Sequence, residues 1–269
     1  MRSIRVLALL LAAAAGCQTV QTTQPGAVGV DRQQSMLLSS KEVNQSAAGA
    51  YRQVLADASK KDQLNRDAAL LARVRGVSQR LIPQTGVFRP DAPGWDWEVN
   101  LISSKELNAW CMPGGKIAFY TGLIEKLKLT DDEIAAVMGH EIAHALREHG
   151  RERASKAMAQ GIALGILGAV AGVSRGGMDL TQLVLNVTLN LPNSRENETE
   201  ADRIGVELAA RAGYDPRAAV AVWEKMARAS EGQSPEILST HPAPATRIAD
   251  LKVYAARVMP LYEQARPRS

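Results

Sequence analysis

Two kinds of hydrophobic spacing divide the chain. From Lys41 to Ile82 apolar residues recur at helical intervals, through Val43, Ala47, Val54 and Leu55 and then Leu70, Leu71, Val74, Val77 and Leu81. Pro83 and Gly86 close that stretch. Trp95 to Ile102 instead alternates apolar and polar residues, the period of a strand. Two more strand-like runs, Leu107 to Met112 and Lys116 to Tyr120, flank Pro113-Gly114-Gly115, which reads as the turn between them. Helical spacing then returns. Thr130 and Glu133 stand at capping-box distance, so a helix is expected from there through His149. Ala157 to Val173 is rich in Ala and Gly and nearly uncharged, yet slightly short for a membrane span, and predicts a buried or lid-forming helix. Ser194 to Ala212 predicts another helix, ended by Gly213, and Asp215-Pro216 opens the next. A last one is expected from about Pro242 to Arg266.

Before Lys41 neither pattern holds. Arg2 and Arg5 precede an apolar run from Val6 to Ala15 and then small residues, the layout of a secretory signal over 1–16. Ala14-Ala15-Gly16-Cys17 resembles the lipobox of bacterial lipoproteins, which implies a lipid on Cys17. With Gln18 and not Asp behind the cysteine, the expected location is the bacterial cell envelope, on the outer membrane facing the periplasm. Thr19 to about Ser40 is rich in Gln, Thr, Gly and Ser, so residues 17–40 read as a flexible tether and 41–269 as the working domain.

Composition narrows the function. At 269 residues, with 46% hydrophobic and 22% charged, the chain can bury the core of one sizeable domain. Aromatics are only 4%, which favours a core of closely packed helices. The net charge is +4, and Arg2 and Arg5 supply part of it. No concentrated basic face remains, which argues against nucleic acid as a partner. Cys17 and Cys111 are the only cysteines, too few for a disulfide or zinc-finger framework. Any metal site must therefore use His and carboxylates.

His140-Glu141-Ile142-Ala143-His144 falls inside the helix capped at Thr130. Residues four apart share a helix face, so both imidazoles can hold one cation. Zinc accepts two His nitrogens and a carboxylate and keeps a fourth position open. It lowers the pKa of water to about 7, and Glu141 can take the proton as that water attacks a carbonyl. The third ligand is less direct. A third His with a preceding Gly would need Gly at Arg147 and His at Gly150, and neither is there. His149, nine steps from His140, falls on the opposite face of a continuous helix, where it reads as a C-terminal residue favoured when protonated. On the later helix, Glu198 and Asp202 share a face. Glu198 is the expected ligand, with Glu200 the fallback. Asp202 would accept a hydrogen bond from the far nitrogen of a ligand His. The plainer reading of these residues is a solvated acidic face that includes Glu196 and Glu200.

With these residues the chain is similar to the zinc peptidases that include HtpX and the type I CAAX prenyl protease. Glu198 to Gly205 resembles that family's second signature. Asn108-Ala109 with Met112 to Ile117 resembles its upstream edge strand, and Ser239-Thr240-His241-Pro242 with Arg247 its downstream block. The resemblance covers about Lys41 to Arg257 and points to the periplasmic lipoprotein branch, without transmembrane helices. It implies that Asn108 and Ala109 pair with an extended substrate backbone. It also implies that His241 either donates to the oxyanion or fills the fourth zinc position and holds the enzyme latent.

The expected architecture is α+β: a mostly helical, gluzincin-like zincin domain with a small β-sheet over the zinc-binding helix. The expected function is zinc-dependent hydrolysis of internal peptide bonds in misfolded or unassembled envelope polypeptides, with one Zn2+ per chain. The rivals are an outer-membrane assembly or chaperone lipoprotein with latent peptidase activity, and a zinc-bound structural module.

Overall fold

The computed structural model describes residues 18–170, 179–229, 236–241 and 246–266. The expected signal, residues 1–16, and Cys17 lie outside them. The segment expected to be a tether is instead packed on the domain. Strand β1 (Gln18–Val20) pairs antiparallel with β2 (Gln34–Met36), and Val28, Val30 and Met36 are buried. Its polar side chains do much of the anchoring. Gln34 Nε2 donates to Arg147 O and to Glu152 Oε2, each at 2.8 Å, and Arg32 reaches Glu152 and Glu200. A polar segment held by distant partners has the composition of a linker, which is why the sequence reads as one.

The long helical stretch is two helices, α1 (Ser40–Lys60) and α2 (Ala68–Leu81). Asp62 and Asn65 separate them at φ 55 and 53, the left-handed region that Asp and Asn tolerate best after Gly. Three strands follow: β3 (Glu98–Ile102), β4 (Ala109–Met112) and β5 (Lys116–Tyr120). They form a sheet in the order β3-β5-β4, with β3 parallel and β4 antiparallel to β5. Gly114 and Gly115 make the β4–β5 turn at φ 81 and 84. Strand side chains alternate between two interiors. Val99, Leu101, Cys111, Ile117 and Phe119 join the main core. Ile102, Trp110, Met112 and Ala118 join a second one under α1 and α6 (Leu180–Leu189). Both faces are covered.

After α3 (Thr121–Leu127) comes α4 (Asp131–Leu146), the axis of the main core, buried from Glu133 to Leu146. Thr130 caps it as expected: its hydroxyl accepts from Glu133 N, and Glu133 Oε2 accepts from Thr130 N. The expected continuation to His149 does not occur. The helix ends at Leu146, Glu148 adopts φ 51, and α5 (His149–Val170) starts in a new direction. Ser40 Oγ at 2.7 Å and Arg89 Nη1 at 3.0 Å donate to the Glu148 carboxylate and hold this turn in place. The lid or buried helix expected to Val173 corresponds to the end of α5, and residues 171–173 lie outside the described residues. No described helix is long and apolar enough to cross a membrane.

Helix α7 (Arg195–Arg211), capped by Ser194, lies against α4. The two backbones touch at glycines. A Cβ on Gly139 would sit 2.8 Å from Gly205 O, and one on Gly205 would sit 2.7 Å from His140 N. Helices α8 (Ala218–Ala229), α9 (Glu236–Thr240) and α10 (Thr246–Ala265) complete the chain. The architecture is thus the expected α+β, mostly helical and zincin-like, with a small sheet beside the His-Glu helix.

Candidate metal centre

The glycine contact sets the centre. With Gly139 against Gly205, the two helices run antiparallel, so His140 meets Asp202 and His144 meets Glu198. His140 Nε2 and His144 Nε2 lie 3.1 Å apart. Glu198 carboxylate oxygens lie 3.4 Å from the first and 3.3 Å from the second. His241, just after α9, brings its Nδ1 to 3.1 Å from His140 Nε2 and 3.0 Å from Glu198 Oε1. Donor atoms of His140, His144, Glu198 and His241 all fall within 4.8 Å of one another, and all four residues are buried. Asp202 Oδ1 is 2.9 Å from His140 Nδ1. A carboxylate can only accept, so that nitrogen carries the proton and Nε2 presents its lone pair.

This donor set fits a divalent cation. Lone pairs this crowded and this dry repel unless a cation lies between them, and two imidazoles with one carboxylate match the preferences of zinc. Glu141 is the second sign. It is 2% exposed, and its Oε1 has no hydrogen-bond partner among the described residues. Burial pushes its carboxyl up, against the pull of His241 and His140. Burial would also raise Glu198, but the imidazoles of His241, His140 and His144 hold it well below the usual carboxylate range. Burial pulls His140 down, and Asp202 and Glu198 outweigh it, so that with no cation present the ring is raised to about 9 and Nε2 offers its lone pair to a metal only once that second proton leaves.

Along the chain, Arg247 stood out only as part of a resemblance. Its guanidinium lies inside the centre, 2.8 Å from Glu198 Oε2, donating to Asp202 at 2.6 and 2.7 Å, and stacked 3.5 Å over the Trp223 ring. One planar fork thereby orients both carboxylates. His149 differs from its expected role as a charged helix end. It is fully buried, and burial lowers it to about 4 even though Glu200 pulls the other way. The turn at Glu148 swings it back, placing its Nδ1 2.8 Å from His144 Nδ1. Glu200, the fallback ligand, belongs to no donor group among the described residues. It accepts from Arg147, Arg32 and His149.

Asn108 and Ala109 stand at the start of β4, on the edge of the sheet. Tyr120 N donates to Asn108 O, so the backbone groups of Ala109 and Cys111 turn to the outer side. Ala109 N donates to Asn108 Oδ1 at 3.0 Å. Between this edge and α4 runs a cleft lined by Trp110, Cys111, Arg153, Glu141, His144 and His241. A separate pocket of Val137, Val222, Trp223, Met226 and Leu251 opens on His140 and Glu141.

A His-Glu-x-x-His helix, a carboxylate donor on a second helix and a second buried carboxylate beside them define the class of metallopeptidases. The chain belongs to peptidase family M48, whose model matches residues 69–255. Among its relatives, the mitochondrial metalloendopeptidase OMA1 of Saccharomyces cerevisiae is 33% identical over 180 residues, 64% of this chain and 51% of that protein. The Arabidopsis thaliana OMA1 is 39% identical over 153 residues, 56% of this chain and 30% of that one. The beta-barrel assembly-enhancing protease of Escherichia coli is 32% identical over 174 residues, 61% and 36%. The chain thus spans about half or less of the length of these relatives. They correct one expectation: the yeast and plant relatives are mitochondrial, which overturns the location on the outer membrane of a bacterial envelope.

Proposed function

We propose that the protein is a zinc-dependent endopeptidase acting on misfolded or unassembled polypeptides. The observation that carries this reading is the buried Glu141 Oε1, without a hydrogen-bond partner among the described residues and 3.5 Å from His241 Nε2, beside the His140, His144 and Glu198 donors. Zinc held by those three would supply a Lewis acid that polarises a carbonyl and acidifies a water. Glu141 Oε1 accepts the proton of the attacking water and returns it to the leaving amine. Asp202 and Arg247 keep His140 and Glu198 aimed. The outer edge of β4, at Ala109 and Cys111, receives an extended backbone as an added strand. An unfolded chain can present such a strand and a folded one cannot, which favours unfolded substrates. The apolar pocket at Trp223 and Met226 takes an apolar side chain of the substrate. The names of the relatives, an endopeptidase and a protease of assembly, support the same reading.

His241 favours a second element, latency. Its Nδ1 lies within the donor group, where it would serve as a fourth ligand to a bound metal in place of water. Its segment is pinned on both sides. Ile237 N donates to Leu107 O, Leu107 N donates to Glu236 Oε2, and Asn193 N donates to Thr240 O. Such restraint also suits an assembly factor whose peptidase is mostly silent. A lipid on Cys17 would tether the enzyme to a membrane, and Cys17→Ser followed by membrane fractionation tests it. The central test is casein digestion with and without a chelator. Glu141→Gln should keep its zinc and lose about 10² to 10⁴ in turnover. Full activity in that variant removes Glu141 from the chemistry. His241→Ala should raise basal cleavage, and slower cleavage would make it an oxyanion donor instead.

A further inference from the structure

We propose that His149 is a positioning residue for His144, the middle link of a hydrogen-bonded chain from Glu200 that fixes which nitrogen of His144 faces the metal. The proposal rests on the reading of the metal centre and adds a residue to it. His149 is 0% exposed, and each of its ring nitrogens has one polar neighbour among the described residues. Nε2 lies 3.0 Å from Glu200 Oε2, and Nδ1 lies 2.8 Å from His144 Nδ1.

Glu200 dictates the proton positions. Arg32 Nε donates to its Oε1 at 2.6 Å, and Arg147 Nε donates to its Oε2 at 2.9 Å. Two guanidinium groups on one carboxylate keep it ionised, so it can only accept. His149 must then carry its proton on Nε2. A neutral imidazole with Nε2–H has a lone pair on Nδ1. That lone pair accepts from His144, whose proton is thereby held on Nδ1. The Nε2 of His144 is left as a bare donor, facing His140 Nε2 and Glu198. His140 reaches the same state through one direct contact with Asp202. The His144 side needs an intermediate because its Nδ1 faces an imidazole and not a carboxylate; Glu200 is one ring further away. The outermost link, Arg32, comes from the N-terminal segment, so that segment is tied to the metal centre through a series of side chains.

The test uses the full chain with 15N-labelled histidine and long-range 1H–15N spectra, recorded free of metal and with zinc. Only four histidines are present, and His149→Gln assigns one by its loss. The expected pattern is a proton on Nε2 of His149 and on Nδ1 of His144 in both states. A proton on Nδ1 of His149 overturns the proposal. Zinc affinity, measured by competition with a chelator, is the second readout. His149→Leu removes the acceptor and should weaken zinc binding by roughly 10- to 100-fold, whereas His149→Gln, whose Oε1 can still accept from His144, should retain most of it. Equal losses in both variants would make His149 a packing residue, and no loss in either would also overturn the relay. If His149→Leu fails to fold, the wild-type spectra decide alone. Should the wild type bind no zinc, the metal-centre reading fails, and the metal-free spectra still decide the relay.

Discussion

The two imidazoles of the centre are chemically identical and are secured in different ways. His140 meets Asp202 directly, and Arg247 fixes Asp202 in turn, all inside the tight pair formed by α4 and α7. His144 is reached through His149, Glu200 and Arg32, a longer chain that leaves the helix pair and ends on the N-terminal segment. The difference comes from backbone direction. Asp202 is one turn from Gly205, where the helices touch, so it cannot move far from His140. His144 lies one turn nearer the end of α4, beyond the closest contact, and is served by whatever the turn at Glu148 folds back. One side is rigid by packing, the other by a series of hydrogen bonds, and each can be broken separately.

The largest effect should come from α7 itself, which supplies both arrangements. Glu198→Ala removes a donor and should abolish stoichiometric zinc in metal analysis. Glu200→Ala removes no donor; it takes away the support of His149 and a partner of Arg147 and Arg32, and should weaken affinity by about 10- to 100-fold. Equal loss of metal in the two variants would mean that Glu200 is the ligand. Next comes the direct side. Asp202→Ala leaves the buried Arg247 short of one partner and should cost about 3–5 kcal/mol, the usual penalty for breaking a buried pair, as well as zinc affinity. Chemical denaturation of the metal-free protein measures the first part; a change within experimental scatter would separate His140 from Asp202. Gly205→Ala tests the packing that joins them. Its new Cβ meets His140 N at 2.7 Å, and overpacking should cost about 1–3 kcal/mol. A variant with unchanged Tm and unchanged zinc affinity would show that the close contact is not needed.

The smallest effect concerns the attachment of the N-terminal segment. Burial pushes Glu152 up, and hydrogen bonds from Arg32, Lys156 and Gln34 outweigh it, holding the group at about 2 against an ordinary 4.5. A lowered folded pKa stabilises the attachment fully above about 4.5, and that contribution fades as pH falls towards 2. Brief pepsin digestion should therefore leave residues 18–36 intact at pH 5 and cut them progressively between about pH 4 and 2. Arg32→Ala should move the onset to higher pH. Cleavage at pH 5 in the wild type would mean that the segment is not held.

Much of this was legible along the chain. The capping box at Thr130 and Glu133 placed the His-Glu helix, because capping is a contact between residues three apart. His140 and His144 sharing a face, and Glu198 and Asp202 sharing another, are consequences of helical period alone. The alternation from Trp95 to Ile102 marked a strand, which forms from Glu98 onward, and the glycines after Pro113 a turn, for equally local reasons. By itself, then, the sequence determined most of the elements and which side chains could act together on one element. Tertiary structure decided the rest. A break at Glu148 depends on Ser40 and Arg89, distant in sequence, so no local rule foresees it, and with it goes the position of His149. Arg247 enters the centre only because α10 packs on α7. The polar segment before Lys41 becomes ordered only because Arg147, Glu152 and Glu200 await it elsewhere. Contacts between residues so far apart in the chain leave no periodic trace, because their energy depends on where the chain returns and not on the order of neighbouring residues.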